Sequence, residues 1–120
     1  MKIDKLTTNE LIDHFELLSE QQYSLVLDDD IKKYNLLVDK QTEIDKELRR
    51  RGVEARLELT KLFNHPNIQV RLMAARHSMG VAREPALNVL RQIMKEDFGP
   101  FRLDAGMTVA LVEDGTITPT

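Results

Sequence analysis

The side chains able to bind a metal ion or move a proton are scattered along this chain at spacings that suit neither task. The three histidines are His14, His65 and His77, and no two stand three or four residues apart. No single helix can therefore present a histidine pair to a metal ion. Asp28, Asp29 and Asp30 are consecutive, so their carboxylates point in different directions. No glycine-containing calcium loop follows them, and they read as the acidic start of a helix. Acid–base catalysis needs two carboxylates, or a histidine and a carboxylate, facing one cleft. Glu43, Glu47 and Glu58 instead occupy surface-type positions. Ser19, Ser24 and Ser78 lack the glycines of a nucleophile elbow. The five glycines stand singly, so no loop cradles phosphate. No metal, cofactor or enzymatic activity is expected.

Arginine is the side chain that clusters. Residues 1–45 carry 5 Lys/Arg and 11 Asp/Glu, a net of −6. Residues 46–102 carry 12 and 6, a net of +6. The remaining residues add −3, which gives the overall −3. A dipolar surface of this kind attracts charged partners, although arginines also simply solvate helix faces. Arg49, Arg50, Arg51, Arg71, Arg76, Arg83, Arg91 and Arg102 could track a phosphate backbone. A pI near 5.6, no Trp and only two Tyr speak against a dedicated nucleic-acid binder.

The elements that must position these groups read as six helices and no strands. Thr7-Thr8-Asn9-Glu10 is a capping box, followed by Leu11, Phe15 and Leu18 at helical spacing. That helix should reach the mid-twenties. The second carries Ile31, Tyr34, Val38, Gln41, Ile44 and Leu48 and stops at Arg49-Arg50-Arg51-Gly52. Its apolar seam could be core or could pair with a second chain. Ala55, Leu59, Leu62 and Phe63 mark a third helix. Pro66 opens a fourth, capped by Asn64 or His65 and ending near Gly80, with Val70 and Ala74 on its core face. Pro85 opens a fifth, with Ala86, Leu90, Ile93 and Met94 inward, and Pro100 opens a sixth that runs to about Val112. Met73, Met79, Met94 and Met107 read as core packing. His65 reads as a loop or cap residue.

Sliding the chain along itself shows a repeat at 31 residues. Leu59 and Leu62 match Leu90 and Ile93; Val70, Arg71, Leu72, Ala74 and Ala75 match Phe101, Arg102, Leu103, Ala105 and Gly106. One helical hairpin thus occurs twice, and a hairpin that cannot bury its own apolar face stacks on its neighbour. Arg71 and Arg102 fall at equivalent positions. Each is expected to tie the stack by pairing with a carboxylate or carbonyl of the next repeat, and Asn67 lies within reach of Arg71.

The Val-Arg pair followed by small residues resembles a HEAT-like repeat over residues 53–112. A wider resemblance rests on Lys33-Tyr34-Asn35, Glu47-Leu48-Arg49-Arg50-Arg51-Gly52, His65-Pro66-Asn67, Val70-Arg71-Leu72-Met73-Ala74-Ala75 and Ala105-Gly106-Met107. These look like a family of small bacterial HEAT-like proteins catalogued as a domain of unknown function. The resemblance implies an all-α, short right-handed α-α superhelix of stacked hairpins. It implies no catalytic residue. Some members lie beside polymorphic toxin genes, which implies an immunity role for those.

The length of 120 residues suits one domain. It divides into N-terminal capping helices (1–52), two HEAT-like hairpins (53–112) and a polar tail (113–120) that should fray or lie on the surface. The chain has no Cys, the start lacks a signal peptide's apolar core, and no apolar run reaches the roughly 20 residues that span a bilayer. A cytoplasmic protein without membrane contact is expected, its oligomeric state open. The function expected is protein binding, in specific form an immunity-type protein that masks a toxin. Gln69, Leu72, Arg76 and Arg83 are expected to line the binding surface. The alternative is a nucleic-acid binder using segment 46–102.

Overall fold

The computed structural model describes residues 2–96 and 99–120. Among these lie six α-helices and no strand: α1 (Thr8–Leu27), α2 (Ile31–Arg51), α3 (Val53–Leu57), α4 (Ile68–Ser78), α5 (Arg83–Glu96) and α6 (Pro100–Glu113). Short 3-10 turns, Ile3–Lys5 and Glu58–Leu62, precede α1 and follow α3.

Local sequence sets most boundaries. Thr7 and Glu10 form the full capping box at the start of α1. Asp30 caps α2 by accepting from the Lys33 N–H at 3.2 Å. Gly52, at φ 114°, breaks the chain out of α2 and into α3, a conformation other residues adopt at a cost. The third helix is shorter than its apolar spacing suggests. It tightens into a 3-10 turn after Leu57, where the Thr60 hydroxyl donates to the Leu57 carbonyl at 2.7 Å.

Pro66 does not open α4. It lies in the preceding turn, and Asn67 is the cap, its Oδ1 accepting from the N–H groups of Gln69 and Val70 at 2.9 and 3.3 Å. A side-chain acceptor satisfies two orphan donors there, which neither His65 nor Pro66 can do from its position. Asn67 is therefore spent on the cap and not on Arg71. Likewise α5 begins at Arg83, and Pro85 sits in its first turn, where no intrahelical N–H is needed.

The interior has two apolar clusters that share α4. Leu11, Phe15, Ile44, Leu48, Leu59 and Val70 anchor the first. Leu72, Ala75, Leu87, Leu90, Ile93 and Phe101 anchor the second. The 31-residue repeat is visible in burial: Leu59 and Leu90, Val70 and Phe101, and Ala74 and Ala105 are each buried in both copies. Against the first cluster lies a wholly buried polar chain. Gln69 Nε2 donates to Gln22 Oε1 at 2.9 Å, Gln22 Nε2 to Gln41 Oε1 at 3.1 Å, and Gln41 Nε2 to Ser19 Oγ at 2.7 Å. The polar Gln41 in the α2 seam is thus a core residue, whereas Ile31 at the seam's start is 63% exposed.

Segment 113–120 lies along the surface. Arg56 Nη1 donates to the Thr120 carbonyl at 2.8 Å. A Cβ on Gly80 would run into the Thr120 backbone, so glycine is required for this close approach.

Candidate functional site

Exposed apolar residues form a band from the α1–α2 turn across the start of α6 to the end of that helix. Pro100 supplies the first residue of α6 and needs no N–H there. The helix buries Phe101, Ala105, Val109 and Val112, which turns Leu103 and Met107 outward at 67% and 57% exposure. Ile117 joins them from the following turn, held by its N–H on the Leu111 carbonyl at 3.0 Å. At the other end stand Leu27 and Ile31, also more than half exposed. Their turn is closed by Asp29 at φ 56°, a left-handed conformation that Asp tolerates. Tyr23 stacks on Phe101, ring centroids 5.4 Å apart, and joins α1 to α6.

Three shallow grooves run along the band. Ile31, Tyr34, Pro100 and Asp104 line one; Pro100, Leu103, Asp104, Met107 and Ile117 line the next. Met94, Leu103, Gly106, Met107 and Ala110 line a third, of about 690 Å³. Shared residues make them continuous. Polar groups edge the band: Arg76 pairs with Asp104 at 3.4 Å and Arg91 with Glu113 at 2.8 Å. An apolar centre with a polar rim is the ordinary anatomy of a protein contact surface.

The surface expected from sequence is only partly here. Gln69 and Leu72 are each 1% exposed and cannot line a binding face. Gln69 is held in the glutamine chain, and Leu72 packs in the second cluster, because α4 is covered on two sides, not one. Arg76 is exposed at the edge of the band, and Arg83 is exposed at the start of α5. Met73 and Met79 are buried and Met94 is half-buried, but Met107 faces outward, contrary to its reading as core. Sequence reasoning missed Leu103 and Met107. The signal was present in the repeat, where Met107 stands 31 residues after the outward-facing Arg76.

Arg71, expected to pair with the next repeat, places its Nη1 on Glu96 Oε2 of α5 at 2.8 Å and holds the Glu96 carboxyl below the usual range. The two residues flank an open cleft of about 410 Å³ with His65, Asn88 and Gln92. Arg102 is exposed on α6. Glu47, expected at the surface, is 8% exposed, because Arg50 and Arg51 fold over it at 2.6 and 2.8 Å.

Two polar clusters form that separated sequence positions conceal. Glu16, Glu20 and His65 bring ligand-type atoms within 4.8 Å of one another. His65 Nδ1 accepts the Asn67 N–H at 2.9 Å, so the neutral ring carries its proton on Nε2. That nitrogen lies 3.1 Å from Glu16 and 3.4 Å from Glu20. A metal ion there would have to displace the proton or break the Asn67 bond, so the cluster acts as a clasp between α1 and the turn before α4. In the second cluster, Asp45 meets His77 at 3.2 Å and Arg49 at 2.8 Å. Burial alone would raise the Asp45 carboxyl, but hydrogen bonds from His77 and Arg49 outweigh it and hold it below the ordinary range. Among the described residues no helix is long and apolar enough to cross a membrane.

The model of a family described as a domain of unknown function, DUF2019, matches residues 9–113. The crystal structure of the protein RPA1889 from Rhodopseudomonas palustris CGA009 is similar at 34% identity, with a TM-score of 0.94 over 100% of this chain and 99% of that one. No curated protein matches.

Proposed function

Since the chain belongs to the DUF2019 family, which brings no activity with it, we propose from its surface that it is a non-enzymatic protein-binding module. The carrying observation is the continuous apolar band through Ile31, Pro100, Leu103 and Met107. An exposed apolar band rimmed by charge is the kind of surface that marks a protein contact site. Its α1–α2 end is acidic, with Asp28, Asp29 and Asp30 beside Leu27 and Ile31, within the segment that carries a net of −6. That combination suits a basic protein surface, since complementary charge speeds encounter and excludes wrong partners. The specific form is an immunity-type protein that masks a basic toxin.

Coexpression with any toxin-like protein found to be encoded beside its gene tests this. Survival should be restored by the wild type and lost with the Asp28→Lys, Ile31→Lys double variant. Killing by each neighbour despite the wild type would remove the immunity form.

The nucleic-acid reading loses support from the ion pairs. Arg49, Arg50, Arg51, Arg71, Arg76 and Arg91 each pair with a carboxylate. Retention on DNA at low salt, released as salt rises, would restore it.

A further inference from the structure

The internal repeat specifies what the outer face of α6 lacks. In α4, Leu72, Ala75 and Met79 form one face, which is buried in the cluster that α4 shares with the α5–α6 hairpin. The residues 31 positions later on α6 are Leu103, Gly106 and Ala110. The inward positions agree between the copies, so the outward ones correspond too. Yet no further hairpin follows α6 among the described residues, and this face lines the third groove of the band. Where α4 carries the outward Arg76, α6 carries Met107, which extends the apolar face where a solvated end would be polar.

We infer that a second copy of this chain covers this face, α6 packing antiparallel on α6 about a two-fold axis near Gly106–Met107. This rests on reading the band as a protein contact surface and names the occupant of its α6 half.

Self-complementarity selects the occupant. Antiparallel pairing about that axis sets Leu103 against Ala110 of the other copy and Met107 against Gly106. Each large side chain meets a small one, the arrangement that lets two helices approach closely. The same register brings Glu113 and Asp114 of each copy to the N-terminal end of the other α6, where a helix dipole favours negative charge. Both unpartnered faces are covered at once, as a closed two-fold interface requires. Parallel pairing would put like against like at each position. The Leu27–Ile31 turn stays outside the contact.

A 14-residue helix is about 21 Å long. One such face buries less than the roughly 1,200 Å² of a standard interface. Association should therefore be weak and reversible, and the test is set for a Kd on the order of 100 μM.

Sedimentation equilibrium of the purified full chain tests this across a range from roughly tenfold below to fivefold above that Kd. The wild type should move from monomer to dimer, Leu103→Asp should stay monomeric, and Ile31→Asp should dimerise like the wild type. The chain has no cysteine, so single-cysteine variants report register cleanly. Met107→Cys, next to the axis, should oxidise to a disulfide dimer. Leu103→Cys should not, because its counterpart lies about 10 Å away along the helix, beyond disulfide reach. A wild type monomeric throughout, or a dimer lost in Ile31→Asp but kept in Leu103→Asp, would overturn the inference. So would an α6 face that stays monomeric yet loses a different protein on Leu103→Asp. That last result would leave the protein-binding reading standing, whereas a dimer that rescues no cell from a neighbouring toxin would uphold the inference and remove only the immunity form.

Discussion

Leu72 on α4 and Leu103 on α6 hold the same place in two copies of one hairpin, yet one is 1% exposed and the other 67%. Residue type and helical spacing are identical; the difference is whether another hairpin follows. Burial in a stacked fold is thus a property of the neighbour as much as of the residue. The comparison also separates stability from contact. The face of α4 holds the molecule together, while the matching face of α6 is spare. Replacing each leucine by alanine should expose this most sharply. Leu72→Ala opens a cavity in the second cluster and should cost about 3 kcal/mol. Leu103→Ala should change monomer stability by less than about 0.5 kcal/mol. Urea unfolding at concentrations too low for association measures both. Equal losses would show that the two faces are not in different surroundings.

The two clusters flanking α4 differ in a second way. The one joining α1 and α2 to α4 carries the glutamine chain, and among the described residues no such chain of buried amides lies against the other. Gln41→Leu would leave Gln22 and Ser19 without their buried partner and should cost roughly 2 kcal/mol. Changing Gln22, Gln41 and Gln69 to leucine together removes donors and acceptors alike and should cost less than the single change. If the triple variant instead loses the sum of three separate penalties, packing and not hydrogen bonding controls that region.

A smaller effect probes how the hairpins are tied. The Arg71–Glu96 pair is partly open to water, Glu96 being 41% exposed, so a double-mutant cycle should find a coupling below about 1 kcal/mol that weakens with added salt. Its partner position, Arg102, was read from the sequence as an equivalent tie.

How much of this was legible beforehand follows from the range of the forces involved. Thr7, Asp30, Gly52 and Pro100 act within a turn of helix, so the boundaries they set can be read directly. The 31-residue register carried the inner positions of both hairpins. Pro66 misled because the better acceptor, Asn67, stood one residue on. Gln69 and Leu72 were placed outside because a helix wheel shows one apolar face, and α4 is sandwiched between two layers. The His65 clasp depends on a turn reaching α1 from 45 residues away, which no local spacing encodes.

The mildest prediction concerns an N-terminal clasp that α6 has no counterpart to. Glu47 accepts from Arg50 and Arg51, and those guanidiniums hold its carboxyl far below the ordinary value of 4.5, at about 2. Arg51 in turn donates to the Leu6 carbonyl at 2.6 Å and reaches Thr8 and Ile3. The ionised carboxylate therefore aims the arginine that ties down the first turn. Because the folded value is depressed, this support is fully present above about pH 4.5 and disappears as pH falls through about 2. Protection of the Lys5 and Leu6 amides, whose N–H groups close that turn, should fall across this window relative to the intrinsic exchange rate at each pH, while that of α5 holds. Glu47→Gln should show the lowered protection already at neutral pH, with no further loss of protection on acidification. Uniform loss of protection in both regions would mean the acid response is global unfolding and not release of this clasp.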